Sequence, residues 1–229
     1  VARDADAGLA TSLVLPPAAS LTLETWINIS STDQDRMPVM DMHADNVAGR
    51  CWFGLDRGRP GFWMDGLSLD TLRADAALPI NKWVHLAFVL DKANLVEAIY
   101  TNGVLATSQP MSQAVDFPNL PVRLFGIDAS RQCQDVLLRD VRVWSVAQSQ
   151  EQIQANLFRQ MNGNEQGLSL YCPLTEGAER IRDKVSGNYL ALPTGFGWTT
   201  AGRVWMASPS EWTIQKGMNG GLATAMPDN

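Results

Sequence analysis

The sequence predicts an all-β fold, a two-sheet antiparallel sandwich of the jelly-roll kind with one short helix. Three observations carry this. Leu21–Ile29, Trp83–Asp91 and Val136–Trp144 alternate in character residue by residue, the period of strands whose two faces meet different surroundings. Turn signals recur between short apolar runs, the strongest being Asn102-Gly103, which predicts a two-residue hairpin between Val96–Thr101 and Val104–Thr107. Only one stretch reads as helix. It opens on Ser149-Gln150-Glu151-Gln152, a Ser-x-x-Gln capping box, and continues through Ile153, Leu157 and Met161, predicting a helix over about Ser149–Gln160. Many short strands, frequent turns and one helix together argue for a sandwich or jelly roll.

The elements follow in order. Ser12–Leu15 reads as a short strand ended by Pro16-Pro17. In Leu21–Ile29 the residues Leu21, Leu23, Ile27 and Ile29 share one side, and Thr22, Glu24, Trp26 and Asn28 the other. A polar loop precedes a strand at Met37–Met42, and a second loop holds Asp41, His43, Asp45 and Asn46. Cys51–Asp56 and Gly61–Asp65 form a hairpin joined by Arg57-Gly58-Arg59-Pro60, and Leu67–Leu72 adds an edge strand. In Trp83–Asp91, Val84, Leu86, Phe88 and Leu90 share a face, opposite Trp83, His85, Ala87 and Val89. A proline-marked loop, Met111–Pro121, leads to a strand at Val122–Ile127. In the strand after it, Asp140, Arg142 and Trp144 oppose Val141 and Val143; Gly167–Cys172 and Tyr189–Leu192 close the series.

Bulk properties exclude several function classes. At 229 residues the chain fits one large β domain or a domain with a tail, and no run approaches the ~18 apolar residues of a membrane span. Net charge is −6, and no basic run is interleaved with aromatics, so nucleic acid and anionic membranes are poor partners. The opening VARDADAGLA shows no basic stretch followed by an apolar one, which reads as a mature chain or as part of something longer. Cys51, Cys133 and Cys172 lack metal-like spacing, and are consistent either with buried thiols or with one disulfide and one thiol.

Asp140-Val141-Arg142-Val143-Trp144 followed by Ser149 and Glu151-Gln152-Ile153 resembles the closing signature of laminin G-like domains of the concanavalin A-like lectin and glucanase superfamily. LTLETWINI at Leu21–Ile29 is similar to an early strand of that family, and NKWVHLAFVLD at Asn81–Asp91 to another. Tyr100-Thr101-Asn102-Gly103 is similar to its hairpin tip. The segment Gly167–Asn188 resembles the part that closes such domains. The resemblance spans about residues 8–198 in order. It implies a domain over residues 1–200, with 201–229 as a tail or the start of a following segment.

The superfamily contains glycosidases, whose retaining members need two carboxyl groups about 5–5.5 Å apart. On a strand, same-face side chains repeat every ~6.6 Å, so a Glu-x-Asp pattern on a strand is the expected sign. None is present: the glutamates are scattered, and Asp33 and Asp35, a spaced acidic pair, lie in a polar loop. His43 and His85 do not suggest a triad or a zinc site. The polar strand faces, with Glu24, Trp26, His85, Asp140, Arg142 and Trp144, read as a buried hydrogen-bonded girdle, with Arg142 paired to Glu24 or Asp140.

The loops are the better candidates. The resemblance implies a calcium ion at the rim, and Asp41, Asp45 and Asp128 are the residues for it; the bland alternative is solvated loop carboxylates. Sugar recognition calls for aromatic platforms beside planar polar groups. CWFGLDRGRPGFWMDG supplies Trp52, Phe53, Phe62 and Trp63 with Arg57, Arg59, Asp56 and Asp65. With Trp52 and Phe62 turned to the core, Trp63 stays available; the alternative is that both Trp residues are core. The predicted ligand site is therefore Arg57, Trp63, Asp65, Asp128 and Arg131, on a rim built from the Asp41–Asn46, Arg57–Trp63 and Asp128–Gln134 segments. The function this implies is a non-catalytic recognition module, binding a glycan or glycoprotein on a cell surface, within a larger secreted or surface protein. A protein-binding adhesion or spacer domain is the competitor, and a glycoside hydrolase ranks behind both.

Overall fold

The computed structural model describes residues 8–42, 48–65, 72–128, 131–132, 136–174 and 180–191, with only the backbone of residues 127, 128, 131 and 132. The strands run in chain order as β1 (Leu9–Val14), β2 (Leu21–Ile29), β3 (Met37–Met42), β4 (Cys51–Asp56), β5 (Arg59–Met64) and β6 (Leu72–Arg73). They continue as β7 (Val84–Asp91), β8 (Val96–Thr101), β9 (Val104–Pro110), β10 (Pro121–Leu124), β11 (Gly126–Asp128), β12 (Arg131–Gln132) and β13 (Val136–Trp144). After helix α1 (Gln150–Asn156) come β14 (Leu168–Cys172), β15 (Arg180–Arg182) and β16 (Tyr189–Ala191). Two six-stranded antiparallel sheets result, one ordered β1-β10-β3-β4-β5-β6 and the other β14-β13-β2-β7-β8-β9, with β11-β12 and β15-β16 as small ribbons.

The inner faces meet in one apolar core. From the first sheet Leu124, Met40, Met42, Cys51, Phe53, Leu55 and Phe62 enter it; from the second Leu23, Ile27, Leu86, Phe88, Ile99, Val141 and Val143 do. Phe53 stacks on Phe62 at 4.4 Å and meets Phe88 of the other sheet edge-on at 5.7 Å, so one aromatic trio spans both layers. Cys51 and Cys172 are both buried, and burial pushes the Cys51 thiol well above its ordinary range. Cys133 lies outside the described residues.

Several expected boundaries move for identifiable reasons. The first strand begins at Leu9 and ends at Val14, where the expectation was Ser12–Leu15. The β4–β5 turn needs only Arg57 and Gly58, both at positive φ (49° and 73°), so Arg59 and Pro60 join β5. Most of the expected edge strand at Leu67–Leu72 lies outside the described residues; Leu72 and Arg73 do pair with β5. The helix is shorter than Ser149–Gln160. Its capping box is present, Ser149 Oγ accepting from Gln152 N and the Gln152 side chain from Ser149 N. Its far end is stopped by the sheet below: Arg142 donates to the carbonyls of Asn156 (2.6 Å) and Arg159 (2.7 Å), and Trp26 Nε1 to that of Leu157 (3.1 Å). These carbonyls, orphaned where a helix ends, are satisfied by side chains in place of another turn.

The helix lies on the outer face of the second sheet. Ile153 is wholly buried with Ala87, Val89 and Ala98. The β8–β9 hairpin tip closes on it, Gln154 Nε2 donating to the Gly103 carbonyl at 2.9 Å. Gly103 is at φ +73°, and a Cβ there would come within 2.8 Å of Gln154 Cγ. Ile153→Asp should cost about 3 kcal/mol or more, because it sets an unpaired carboxylate between helix and sheet. An unchanged midpoint in urea denaturation would refute this packing.

Candidate functional site

The two outer faces of the sandwich differ. Beneath α1 the outer residues of β2, β7 and β13 form a closed polar network. Glu24 accepts from Trp144 Nε1 at 2.6 Å, lies 3.2 Å from His85 Nε2 and 3.8 Å from Arg142 Nη1. Arg142 is held by Asp140 at 2.5 Å and 3.2 Å. Burial penalises its charge, and Asp140 and Glu24 outweigh that penalty, holding the guanidinium above its ordinary range. Asp140 reaches it through a bulge: β13 carries one extra residue against β2 between Arg139 and Arg142, with Asp140 at φ 57°. Trp26 is capped by Phe158 and His85, and Met161 packs with Trp144, Leu168 and Tyr171. This is the hydrogen-bonded girdle that the alternation implied, and it leaves Glu24 and Asp140 enclosed.

On the first sheet, register lines up outward residues across five strands. Ala10 faces Arg123, Arg123 faces Asp41, Asp41 faces Trp52, and Trp52 faces Trp63. Their chain neighbours Leu9, Leu124, Met40, Met42, Cys51, Phe53, Phe62 and Met64 point into the core, so this row is the outer face. Arg123, Trp52 and Trp63 are half-buried, while Asp41 is wholly buried. The Arg50 guanidinium sits 5.7 Å from the Trp63 ring centre, and its Nε is 3.9 Å from Asp65. Both charged groups are partly exposed, at 29% and 42%.

The expected site residues divide on this frame. Trp63 and Asp65 are adjacent, at the end of β5 away from the hairpin turn. Arg57 is in the turn itself, about five residues or ~17 Å along the hairpin from Trp63. It is exposed and bonded to Asp35 at 2.6 Å, so the structure does not bring it to the Trp63 cluster. Asp35, in turn, is pulled below the usual carboxylate range by that hydrogen bond. The backbone of β11, ending at Asp128, packs against β3, which carries Asp41, and β12, beginning at Arg131, does so too. The side chains of Asp128 and Arg131 lie outside the described set, as does Asp45 altogether. Of the three expected calcium ligands only the Asp41 carboxylate is described, and among the described residues no three His, Cys, Asp or Glu side chains cluster as a metal site. The calcium expectation therefore rests on Asp41 and the approach of β11.

Trp52 points outward, contrary to the inward orientation considered for it, and Phe53 takes the inward place beside Phe62. Arg50, Trp52 and Arg123 are members of the cluster that single-strand reading missed. The signal available for Trp52 was the alternation Cys51, Trp52, Phe53; nothing local paired Arg123 with Asp41. Arg142→Met should cost about 3–5 kcal/mol, since it leaves Asp140 and two helix-end carbonyls buried without their partner. A stability change under about 1 kcal/mol in chemical denaturation would show the girdle to be loosely coupled.

The comparisons with known proteins agree with this architecture. No curated protein matches the chain. A candidate carbohydrate-binding protein from Bacteroides ovatus ATCC 8483 superposes with a TM-score of 0.63 at 22% identity, covering 81% of this chain and 57% of that one. This chain thus spans little more than half the length of that protein. A heptameric SAP-like pentraxin from Limulus polyphemus superposes with a TM-score of 0.54 at 14% identity, covering 67% of this chain and 77% of that one. At such identities the likeness speaks for the fold alone. The sequence itself matches a laminin G family profile over residues 3–154. With that match covering more than half its length, the chain belongs to the laminin G-like part of the concanavalin A-like lectin/glucanases superfamily.

Proposed function

We propose that this chain is a non-catalytic recognition module that binds carbohydrate through the outer face of its first sheet. The observation that carries the reading is the half-buried Trp52–Trp63 pair with Arg50 and Asp65 beside it. Tryptophan faces stack on the apolar face of a pyranose, and planar guanidinium and carboxylate groups hydrogen-bond its hydroxyls. The second sheet offers no comparable face, because α1 and residues 157–161 occupy it. The likeness to the Bacteroides ovatus protein supports the reading. Asp128 and Arg131, whose backbone ribbon abuts β3, complete the proposed rim; Arg57 serves it only if a ligand extends along the hairpin. In this reading the module belongs to a larger secreted or surface protein and engages a glycan or glycoprotein there.

A glycan array, probed with and without calcium, tests the ligand class. Binding that is lost in Trp63→Ala supports the site. That substitution should lower affinity by ~10-fold or more, on the order of 1–3 kcal/mol by the scale of aromatic stacking. Its stability cost should stay well below the about 3–5 kcal/mol of a deleted core aromatic. An array without hits in calcium sinks the carbohydrate reading in favour of a protein-binding or spacer domain. For the rim ion, melting temperature should rise with added calcium and fall with chelator, by mass action on the folded state. Superimposable melts would remove Asp41, Asp45 and Asp128 from the calcium role.

A further inference from the structure

We infer that Gly49 and Lys92 are positioning residues of the recognition face, setting Arg50 over Trp63 through the loop that joins β9 to β10. The role takes its purpose from the carbohydrate reading above. Arg50 is held at its root and not at its head. Among the described residues its enclosed Nε makes no hydrogen bond, and the Asp65 carboxylate, 3.9 Å away, is beyond hydrogen-bond reach. A long side chain ungripped at its tip goes where its backbone aims it, within a few staggered rotamers.

That backbone is fixed on two sides. The Arg50 carbonyl accepts from Asp65 N at 2.8 Å, which registers it on the strand pair. On the other side stands Gly49, at φ +74°, where a Cβ would lie 2.1 Å from the Asp116 carbonyl oxygen. Only glycine permits both that conformation and that approach.

The loop carrying Asp116 is seated in turn by Lys92, just past the end of β7. The Pro17 carbonyl accepts from Phe117 N at 2.9 Å and from Lys92 Nζ at 2.7 Å. The same ammonium lies 3.7 Å from the Phe117 ring centre. Lys92 is 7% exposed, and burial pulls its ammonium down to about 8, against the opposing charge of Asp116. An enclosed cation is an expensive fastener where an apolar side chain would fill the same space. What it fastens gives the reason. Phe117 adjoins Asp116, Asp116 presses on Gly49, and Gly49 precedes Arg50, an unbroken run of contacts from Lys92 to the recognition face.

The Arg50 Nε–H signal in a proton–nitrogen correlation spectrum of the whole chain tests this without any ligand. Its loss in Arg50→Lys identifies it. The Trp63 ring current should shift it upfield, and Trp63→Ala should return it to the ordinary arginine position. Gly49→Ala should do the same, and Lys92→Met should move it in the same direction. Lys92→Met removes the ammonium without touching β4 and leaves Phe117 N on the Pro17 carbonyl, so its melting temperature should stay near that of the unsubstituted chain; it decides the matter if Gly49→Ala does not fold. An Arg50 signal unmoved in either folded variant, or unmoved by Trp63→Ala, overturns the inference. On the glycan array, Lys92→Met should bind the unsubstituted chain's sugars ~10-fold more weakly, the scale of one lost hydrogen bond to a charged group. Undiminished binding there overturns the inference too. An array on which the unsubstituted chain finds no sugar sinks the carbohydrate reading instead, and the Arg50 signal still decides the placement.

Discussion

A guanidinium with no exposed surface must be held from every side, and the arrangement around Arg142 sets much of this structure. Asp140 and the carbonyls of Asn156 and Arg159 accept four hydrogen bonds from it, and the Glu24 carboxylate lies 3.8 Å from its Nη1. Each partner comes from a different part of the chain. Asp140 arrives by a bulge, Glu24 from the paired strand β2, and the carbonyls from the helix returning over the sheet. Losing any one would leave charge or polar backbone buried without compensation, a cost larger than that of an ordinary surface contact. The network thus ties helix to sheet and fixes where the helix stops.

That tie divides labour between the two outer faces. At β2 the second sheet is buried on both sides, so that every residue of that strand is buried, Glu24 and Asn28 included. Polar residues there are structural: Glu24 accepts from Trp144, and Arg142 donates to Asp140 and to the carbonyls of Asn156 and Arg159. The first sheet is covered differently. Its outward row mixes half-buried tryptophans with arginine and aspartate, and its ends carry the β4–β5 hairpin and the β11–β12 ribbon. A rigid scaffold with one face closed concentrates its recognition chemistry on the other face and on the loops at its rim.

The sequence disclosed what is local. Ser149 through Gln152 announced the helix start because a capping box is a four-residue device, and Asn102-Gly103 announced its hairpin because both positions need positive φ. The alternation of Asp140, Arg142 and Trp144 disclosed a polar face even though a bulge interrupts the pairing at Asp140, since the bulge turns Asp140 back to the same side. What required the structure is register. The row Arg123, Asp41, Trp52 and Trp63 draws on four strands separated by as many as 82 positions, and its alignment depends on a slip between Pro38 and Met40. Arg57 is the converse: close to Trp63 in sequence, it is carried to the far end of the hairpin by strand geometry. The helix end was likewise illegible, being decided by Arg142 and Trp26 from other elements.

The pairing of charges on the first sheet bears on the proposal of recognition over hydrolysis. Asp56 meets Arg73 at 2.6 Å, Asp65 lies beside Arg50, and Asp41 stands opposite Arg123 in register. Each of these three carboxylates has an arginine beside it or opposite it in register. Glycoside hydrolysis needs two carboxyl groups facing one another across the scissile bond, one held protonated while the other is ionised. Alternating acids and guanidinium groups beside aromatic rings provide something else, a set of fixed donors and acceptors that can meet several hydroxyls at once without moving a proton. In the proposed reading, such a surface discriminates by the positions of hydroxyl groups and by the fit of a ring face on Trp63, holding a sugar and releasing it unchanged.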